Sequence, residues 1–315
     1  MLENYDELIV EMGQQEPDYT DIPQGAEMTP AQKEQFAARM KAERDNLSEL
    51  AMTVEMEIVG SGELFKDYLT TLARFDRYST QNTILIYAQC PEAVKLGDYD
   101  HWKAAGTPVS RGETGIRIFE PGKEYLREDK TIGTSMNIKH VFDISQTAAR
   151  NKLQPTTSKH DIRALLKALM HKSPAPVKLV DTLNDANGAR YNEQSGVIEV
   201  VKGLDGESLF RCLAQEIAYA QLDRLELDHR EPDEPVCMDK GFSAYAASYA
   251  LCVKNGIDAR GFDFADAPDY FADRDGKEVR GEIKAIRDTV NEVAGRMAKT
   301  LEPPQREARK QEVRA

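Results

Sequence analysis

The spacing of the apolar residues changes at Pro91, and this change restricts the chain to a fold that mixes helices with a small sheet. Before Pro91, residues 63–75 and 80–89 carry apolar side chains at the three- and four-residue intervals of a helix. After Pro91, glycines separate short apolar runs at 116–119 and 140–144, a pattern typical of strands. The predicted turns are Arg111-Gly112 and Pro121-Gly122. We therefore expect helices and a small antiparallel sheet in this part of the chain.

The limits of this first domain follow from composition and capping signals. Residues 1–28 are acidic and rich in Gln and Pro, with few apolar side chains, and are predicted to form a mobile tail. Thr29, as an N-cap, and Pro30, at the first helical position, then start a helix that runs toward Met56. The polar segment 148–160 is predicted to be a linker. A first domain is thus expected at 29–147.

The rear of the chain predicts a second α+β domain at 161–302, followed by a tail at 303–315. Apolar periodicity and turn residues predict a helix, a strand, a hairpin and three further helices: 162–170, 177–180, 189–192 with 197–201, then 206–224, 241–254 and 277–301. Two domains also agree with the length of 315 residues.

The run Gln215-Glu216-Ile217-Ala218-Tyr219, on the helix predicted at 206–224, differs from a zinc-binding helix at the positions that hold the metal. In the H-E-x-x-H motif, two histidines one turn apart bind one zinc ion, and the glutamate activates the bound water. Here Glu216 is kept, but an amide and a phenol, both poor zinc ligands, replace the histidines. We therefore expect no enzyme activity and no cofactor, with a residual metallopeptidase using unconventional ligands as the alternative.

The remaining metal-binding residue types do not compensate for this loss. No two of the five histidines lie four residues apart, and Asp223 with Glu216 would supply only carboxylates, which favour magnesium or calcium over zinc. The four cysteines form no C-x-x-C pair, and Cys212 and Cys252 fall in apolar helical runs. This cysteine usage predicts a reducing, cytoplasmic location.

The net charge of −13 is concentrated at the front of the chain. Residues 1–60 hold fourteen acidic against four basic residues, whereas residues 61–150 hold twelve of each. Only the middle part could therefore approach a polyanion without a strong repulsive field. No window of eighteen apolar residues occurs, so no membrane partner is expected.

Three pieces of the segment 61–147 occur in a characteristic order and spacing. They are Tyr78-Ser79-Thr80-Gln81-Asn82, Trp102-Lys103-x-x-Gly106-x-x-Val109-x-Arg111-Gly112-Glu113-x-Gly115-Ile116, and Val141-Phe142-Asp143-Ile144-Ser145-Gln146-Thr147. In these pieces the chain resembles the antirestriction proteins of the ArdC type and the related LtrC-like proteins of conjugative elements. The resemblance implies that this domain binds single-stranded DNA.

Single strands are held by aromatic rings that stack on bases and by cations that follow the phosphates. The candidate DNA-binding residues are Tyr78, Asn82, Tyr99, Trp102, Lys103, Arg111, Arg117 and Lys123. Structural roles stay open for several of them. A lone tryptophan is commonly a core residue. An asparagine before an apolar run can satisfy local backbone groups. Arg111-Gly112 is also a turn, and Tyr78 could pack against its own helix.

The second segment, about 175–300, resembles the C-terminal domain of the same proteins, a zinc-peptidase-like fold of the ImmA/IrrE type. The resemblance rests on the hairpin, on Leu209-Phe210-x-x-Leu213-Ala214-x-Glu216-x-Ala218-x-Ala220, and on the later helix that ends at Asn255-Gly256-Ile257-Asp258. It implies a third metal-ligand position at Tyr245. Gln215, Tyr219 and Tyr245 would then all be replaced ligands, and Glu216 could be bonded to one of them in a polar network.

The resulting hypothesis is a single-stranded-DNA-binding accessory protein of a mobile element, acting in antirestriction or conjugative transfer. Its peptidase-like domain would be catalytically inactive and would serve as a scaffold or as a surface for a restriction or conjugation protein. A module that binds proteins only is the other alternative. Lys167, His171 and Lys172 form a basic stretch that is either a solvated helix face or an extension of the DNA path.

Overall fold

The computed structural model describes residues 29–126, 130–149, 160–183, 188–228 and 240–301, with the backbone alone at 225–228. It contains helices and two three-stranded sheets, which confirms the predicted α+β class. The predicted tails at 1–28 and 303–315, and most of the predicted linker at 148–160, lie outside these residues. Within these ranges, no helix is both long and apolar enough to cross a membrane.

The described residues fall into two compact units, which do not follow the predicted division into 29–147 and 161–302. Unit 1 takes its residues from Met1–Leu50 and Lys95–Asn151, and unit 2 from Ala51–Val94 and Lys152–Ala315. The first helix, α1 (Pro30–Val59), contains one of these boundaries. The segment 51–94 thus packs with the rear of the chain, although its sequence motifs lie next to those of the front domain.

Unit 1 is built around a long β-hairpin. Its elements are β1 (Leu96–Gly97), α4 (Tyr99–Ala104), β2 (Ile116–Leu126) and β3 (Ile132–Asp143), and all pairing in the sheet is antiparallel in the order β1-β3-β2. Two helices that precede β1 in the chain, α2 (Gly62–Phe75) and α3 (Thr80–Gln89), belong to unit 2. Ile116, Ile118 and Val141 are buried at the base of the hairpin and anchor it in the core of the unit.

One of the two predicted turns was wrong. Arg111-Gly112 forms a turn, with Gly112 at φ +86°, a conformation that glycine adopts without steric cost. Pro121-Gly122 instead lies inside β2, where the register with β3 shifts between Pro121 and Glu124. A bulge accommodates an extra residue and a proline without ending the strand. Proline and glycine, which also favour turns, therefore lie at a bulge in this hairpin.

Unit 2 adds a mixed sheet and a group of helices to α2 and α3. In chain order its further elements are α5 (Ile162–Met170), β4 (Val177–Val180), β5 (Ala189–Asn192), β6 (Val197–Val201), α6 (Gly206–Asp228), α7 (Lys240–Asn255), α8 (Ala267–Phe271) and α9 (Gly276–Leu301). In the sheet, β6 lies between β4, to which it is parallel, and β5, to which it is antiparallel. The predicted helices and strands of this part are confirmed, whereas the short helix α8 was not predicted.

Helix α2 belongs to unit 2 because its apolar face packs on α7 and on the loop and helix that follow α7. Phe65 is fully buried, and its ring centroid lies 5.5 Å from Phe242, 5.5 Å from Phe264 and 5.7 Å from Phe271. At the other end of α2, Lys254 Nζ lies 2.9 Å from Asp76 Oδ1. These contacts join residues nearly 200 positions apart in the sequence.

We predict that Phe65→Ala lowers the free energy of unfolding by about 3–5 kcal/mol, because it leaves a cavity among three aromatic rings. Urea unfolding followed by circular dichroism measures the loss. Phe36→Ala is the matched control, since Phe36 is 44% exposed on α1 and its truncation should change stability by less than about 0.5 kcal/mol. Equal stability of the two variants would contradict the packing of α2 in unit 2.

Candidate functional site

Glu216, the glutamate of the run at 215–219, supports the edge strand of the unit 2 sheet. The side chain is 8% exposed, and its Oε2 accepts a hydrogen bond from the backbone N–H of Tyr191 at 2.7 Å. Tyr191 lies on β5, an edge strand that pairs only with β6 within the sheet. An edge strand presents N–H groups that need a partner. The carboxylate therefore satisfies one of these groups and ties α6 to the sheet.

The side chains around Glu216 form a polar network with the hairpin and with the start of α7. Tyr219 donates its hydroxyl hydrogen bond to Glu193 Oε1 at 2.6 Å, and Tyr191 donates to Asp223 Oδ2 at 3.1 Å. The other oxygen of Asp223 lies 2.6 Å from Lys240 Nζ. Burial, reinforced by the bond to Glu193, raises the pKa of the Tyr219 phenol to about 12. This phenol stays protonated at neutral pH and acts as a donor.

Tyr245, the residue at the expected third ligand position, is bonded in a different direction. Its hydroxyl oxygen accepts from the backbone N–H of Asp263 at 2.9 Å. Its ring packs against Phe262 and Phe264, with centroid distances of 4.9 and 5.2 Å. The hydroxyls of Tyr219 and Tyr245 are thus bonded to Glu193 and to the loop after α7.

These residues do not fit a zinc centre. Across the ranges that the structure describes, no three His, Cys, Asp or Glu side chains come together in a group able to hold a metal ion. Gln215 offers an amide, Tyr219 is a protonated donor, and the hydroxyl of Tyr245 is bonded to the backbone of Asp263. Glu216 itself accepts a hydrogen bond from the backbone of β5.

In unit 1, Trp102 is a core residue. Its side chain is 2% exposed, and its indole Nε1–H donates to the carbonyl oxygen of Phe142 at 2.9 Å. Lys95 Nζ lies 5.6 Å from the ring centroid. A ring enclosed in this way cannot stack on a base while the fold is intact. Trp102 therefore has a role in the core and not in DNA binding. Its role is to join α4 to β3.

Tyr99 and Lys103 lie on the exposed side of the same short helix. Tyr99 is 54% exposed and occupies the first position of α4, and Lys103 follows four residues later. Residues four apart on a helix are neighbours on its surface. The helix starts at Asp98, whose carboxylate accepts from His101 N at 2.8 Å. Helix α4 therefore presents an aromatic ring beside a cation while Trp102 holds it to the core.

The other predicted cations of unit 1 differ in their exposure. Arg111, in the turn, and Lys123, at the bulge, are exposed. Arg117 is half-buried, and burial lowers the pKa of its guanidinium, with the charge of Glu43 opposing the change. It pairs across the hairpin with His140. Arg111 and Lys123 are thus accessible, whereas Arg117 is largely part of the hairpin surface.

Tyr78 and Asn82 belong to unit 2, so the structure does not bring them into unit 1 with the other candidates. Asn82 is buried in the first turn of α3, and its backbone N–H donates to the N-cap oxygen of Ser79 at 3.2 Å. Tyr78 packs edge-on against Phe75, and its carbonyl accepts from Arg287 Nε at 2.8 Å. Both residues hold the connection between α2 and α3 in place.

Several residues of the two sites were not found from the sequence. Glu193, Tyr191 and Lys240 complete the network around Glu216, and Lys95 lies over the ring of Trp102. None of them belongs to a motif with defined spacing. Glu193 carried one usable signal, because it begins the turn of the predicted hairpin that precedes the motif helix.

Comparison with known proteins gives distant similarities, and no family model matches the chain. An uncharacterised protein of Bacillus anthracis is 24% identical over 330 aligned positions, which cover 87% of this chain and 53% of that protein. The chain thus spans about half the length of this relative. Crystal structures of the antirestriction protein ArdC from plasmid R388 are also similar. The metal-free form has a TM-score of 0.47 at 16% identity, covering 70% of this chain and 86% of ArdC. The Mn(II)-bound form has a TM-score of 0.46 at 17% identity, covering 70% of this chain and 85% of ArdC.

We predict that Glu216→Ala lowers the free energy of unfolding by about 1–3 kcal/mol, because it leaves the N–H of Tyr191 without its acceptor. Glu216→Gln should cost less, since the amide oxygen can still accept that hydrogen bond. Chemical unfolding of the two variants checks the difference, with Glu207→Ala as an exposed glutamate control on the same helix. Two Glu216 variants as stable as the unchanged protein would contradict the structural role.

Proposed function

We propose that this chain is a single-stranded-DNA-binding accessory protein of a mobile genetic element. It acts in the cytoplasm, in antirestriction or in conjugative transfer. Unit 1 contacts the DNA, and unit 2 is a catalytically inactive scaffold or a surface for a restriction or conjugation protein. The proposal rests on one observation, the exposed Tyr99 ring beside Lys103 on α4. It is supported by the resemblance of the segment 61–147 to antirestriction proteins of the ArdC type.

The chemistry of α4 and its surroundings suits an unpaired strand. A base in a single strand exposes both faces, so a ring such as Tyr99 can stack on it without reading its sequence. Lys103 and the exposed Arg111 would neutralise phosphates on either side of a stacked base. Neither cation forms an ion pair with a carboxylate of the described residues. They are therefore available to a polyanion in a chain whose net charge of −13 otherwise repels one.

Trp102 and Asn82 are left out of the proposed contact surface because both are buried. Trp102→Ala would test the fold of unit 1 rather than its binding, since it removes a core side chain and its hydrogen bond to β3. The proposed contacts are therefore Tyr99, Lys103, Arg111 and Lys123, with Arg117 at the edge of the surface.

We predict that Tyr99→Ala weakens the binding of a labelled single-stranded oligonucleotide by about 1–3 kcal/mol, the contribution of one stacked base. Tyr99→Phe keeps the ring and should bind as the unchanged protein does. Lys103→Gln should lower the slope of log Kd against log salt by about 0.7, as expected for one lost phosphate contact. Fluorescence anisotropy at several salt concentrations measures these values.

Phe36→Ala, which removes an exposed aromatic residue of unit 1 outside α4, controls for a general loss of apolar surface. If the oligonucleotide does not bind at any salt concentration, the DNA-binding proposal fails and the protein-only module becomes the better description. If it binds and the Tyr99 and Lys103 variants are unchanged, α4 is not the contact surface.

The metal content of the purified protein distinguishes this proposal from the rival hypothesis of a metallopeptidase with unconventional ligands. We expect the purified protein to carry no stoichiometric zinc, because Gln215 and Tyr219 are poor zinc ligands. Elemental analysis and a casein cleavage assay check this expectation. One equivalent of zinc that is lost in Gln215→Ala would overturn the assignment of unit 2 as inactive.

A further inference from the structure

A group of cations that form no ion pair with a carboxylate of the described residues lies on two adjoining helices of unit 2. Arg163 and Lys167 are on α5, Lys172 follows the end of α5, and Arg296 and Lys299 are on the last two turns of α9. Arg296 joins the two helices, since its Nη1–H donates to the carbonyl oxygen of Lys172 at 2.5 Å. We call these five residues the α5–α9 basic surface.

Helical geometry places these cations on a common outer face. Arg163 and Lys167 are four residues apart and exposed, whereas Leu165, Ala168 and Leu169 on the opposite side of α5 are buried. On α9, Lys299 follows Arg296 by three residues and is exposed. Because Arg296 contacts Lys172, the exposed face of α5 and the end of α9 meet at this point.

The cations of this surface differ from most of those elsewhere in unit 2 in having no ion-pair partner among the described residues. Elsewhere Lys240 pairs with Asp223, Lys254 with Asp76 and Arg274 with Glu282. Burial lowers the pKa of the Arg296 guanidinium, and only the charge of Glu292, one turn earlier on α9, opposes this. Its Nε and Nη2 atoms are enclosed and have no hydrogen-bond acceptor among the described residues. The surface therefore carries positive charge that the described part of the protein does not neutralise.

The helix dipole stabilises cations near a helix C-terminus, which explains the positions of some of these residues but not of all. Lys167 and Lys299 lie near the ends of their helices, where a cation is stabilised. Arg163 lies in the first turn of α5, where the helix dipole disfavours a cation. Lys172 has φ +52°, a left-handed conformation in which glycine would be less strained. Stabilisation by the helix ends therefore does not explain why Arg163 and Lys172 are cations.

We propose that the α5–α9 basic surface binds the phosphate backbone of single-stranded DNA, as a second contact surface in addition to α4. The proposal rests on the proposed function, because it names a further site for the ligand inferred there. Arg163, Lys167 and Lys172 contact phosphates directly, and Arg296 adds charge and holds the end of α5 in place. No aromatic ring is assigned to this surface, so it contributes affinity that depends strongly on salt and carries no base preference.

The test compares two double variants of the full chain that remove the same charge. Arg163→Gln/Lys167→Gln changes the surface, and Lys178→Gln/Lys277→Gln removes two exposed lysines without ion pairs elsewhere in unit 2. Binding of a labelled single-stranded oligonucleotide is measured by anisotropy over a range of salt concentrations. The surface variant should bind roughly tenfold more weakly, and its salt slope should fall by about 1.4, the value for two phosphate contacts. The control variant should keep the original slope.

Lys172→Gly provides a second measurement that a merely structural role would not reproduce. It removes a cation and relieves the left-handed backbone, so the melting temperature should not fall while affinity drops roughly threefold. A variant that loses stability and keeps its affinity would show that Lys172 serves the fold, and would remove it from the surface.

The outcomes separate this inference from the proposed function. If Tyr99→Ala weakens binding and the surface variant does not, the assignment of the α5–α9 surface is wrong and the proposed function stands. The same conclusion follows if both double variants lose affinity equally. If the surface variant alone loses affinity, the inference is supported and α4 loses its assigned role. If the unchanged protein binds no oligonucleotide, both fail. Competition by polyglutamate as strong as by unlabelled oligonucleotide would assign the surface to an acidic protein and overturn the inference.

Discussion

The close packing of helices on α7 is the interaction on which the rest of unit 2 depends. Ala244, Ala246, Ala247 and Ala250 are all fully buried, so this helix presents small side chains to α6, α9 and α2. Small residues let helix backbones approach closely, and dispersion contacts then fill the space between them. Phe65 fits beside this helix within a group of aromatic rings, which brings α2 into the unit. The position of α6 against the sheet, and hence of Glu216, follows from the same packing.

Glu216 shows how a buried carboxylate on a helix can serve a structural role. A buried carboxylate is costly unless it is hydrogen-bonded, and Glu216 has the N–H of an edge strand as its partner. Tyr219 and Tyr245 have separate partners, since Tyr219 is bonded to Glu193 and Tyr245 to the loop at Asp263. The polar groups are therefore satisfied by the protein itself.

The two proposed DNA-contact surfaces rely on different physical terms. Helix α4 combines an aromatic ring with a cation, so its contribution to the affinity for DNA includes stacking and persists in part at high salt. The α5–α9 surface has cations alone, and its contribution should decrease steeply with salt. Lys103 and Arg111 in the first place, and Arg163, Lys167 and Lys172 in the second, are exposed and form no ion pair among the described residues. The protein as a whole is acidic. Binding by such a protein depends on where its few unpaired cations lie rather than on net charge.

Local patterns in the sequence determined the fold class, the helices from α1 to α9 apart from α4 and α8, and the hairpin of β5 and β6. These features depend on periodicity, capping and side-chain chemistry, which act between near neighbours. Only the tertiary structure decided that residues 51–94 pack in unit 2, that Trp102 donates to Phe142, and that Glu216 bonds to Tyr191. Each of these depends on a contact between segments that are distant in the chain. Such contacts are selected by shape and by hydrogen-bond satisfaction across the whole unit, which no local pattern contains.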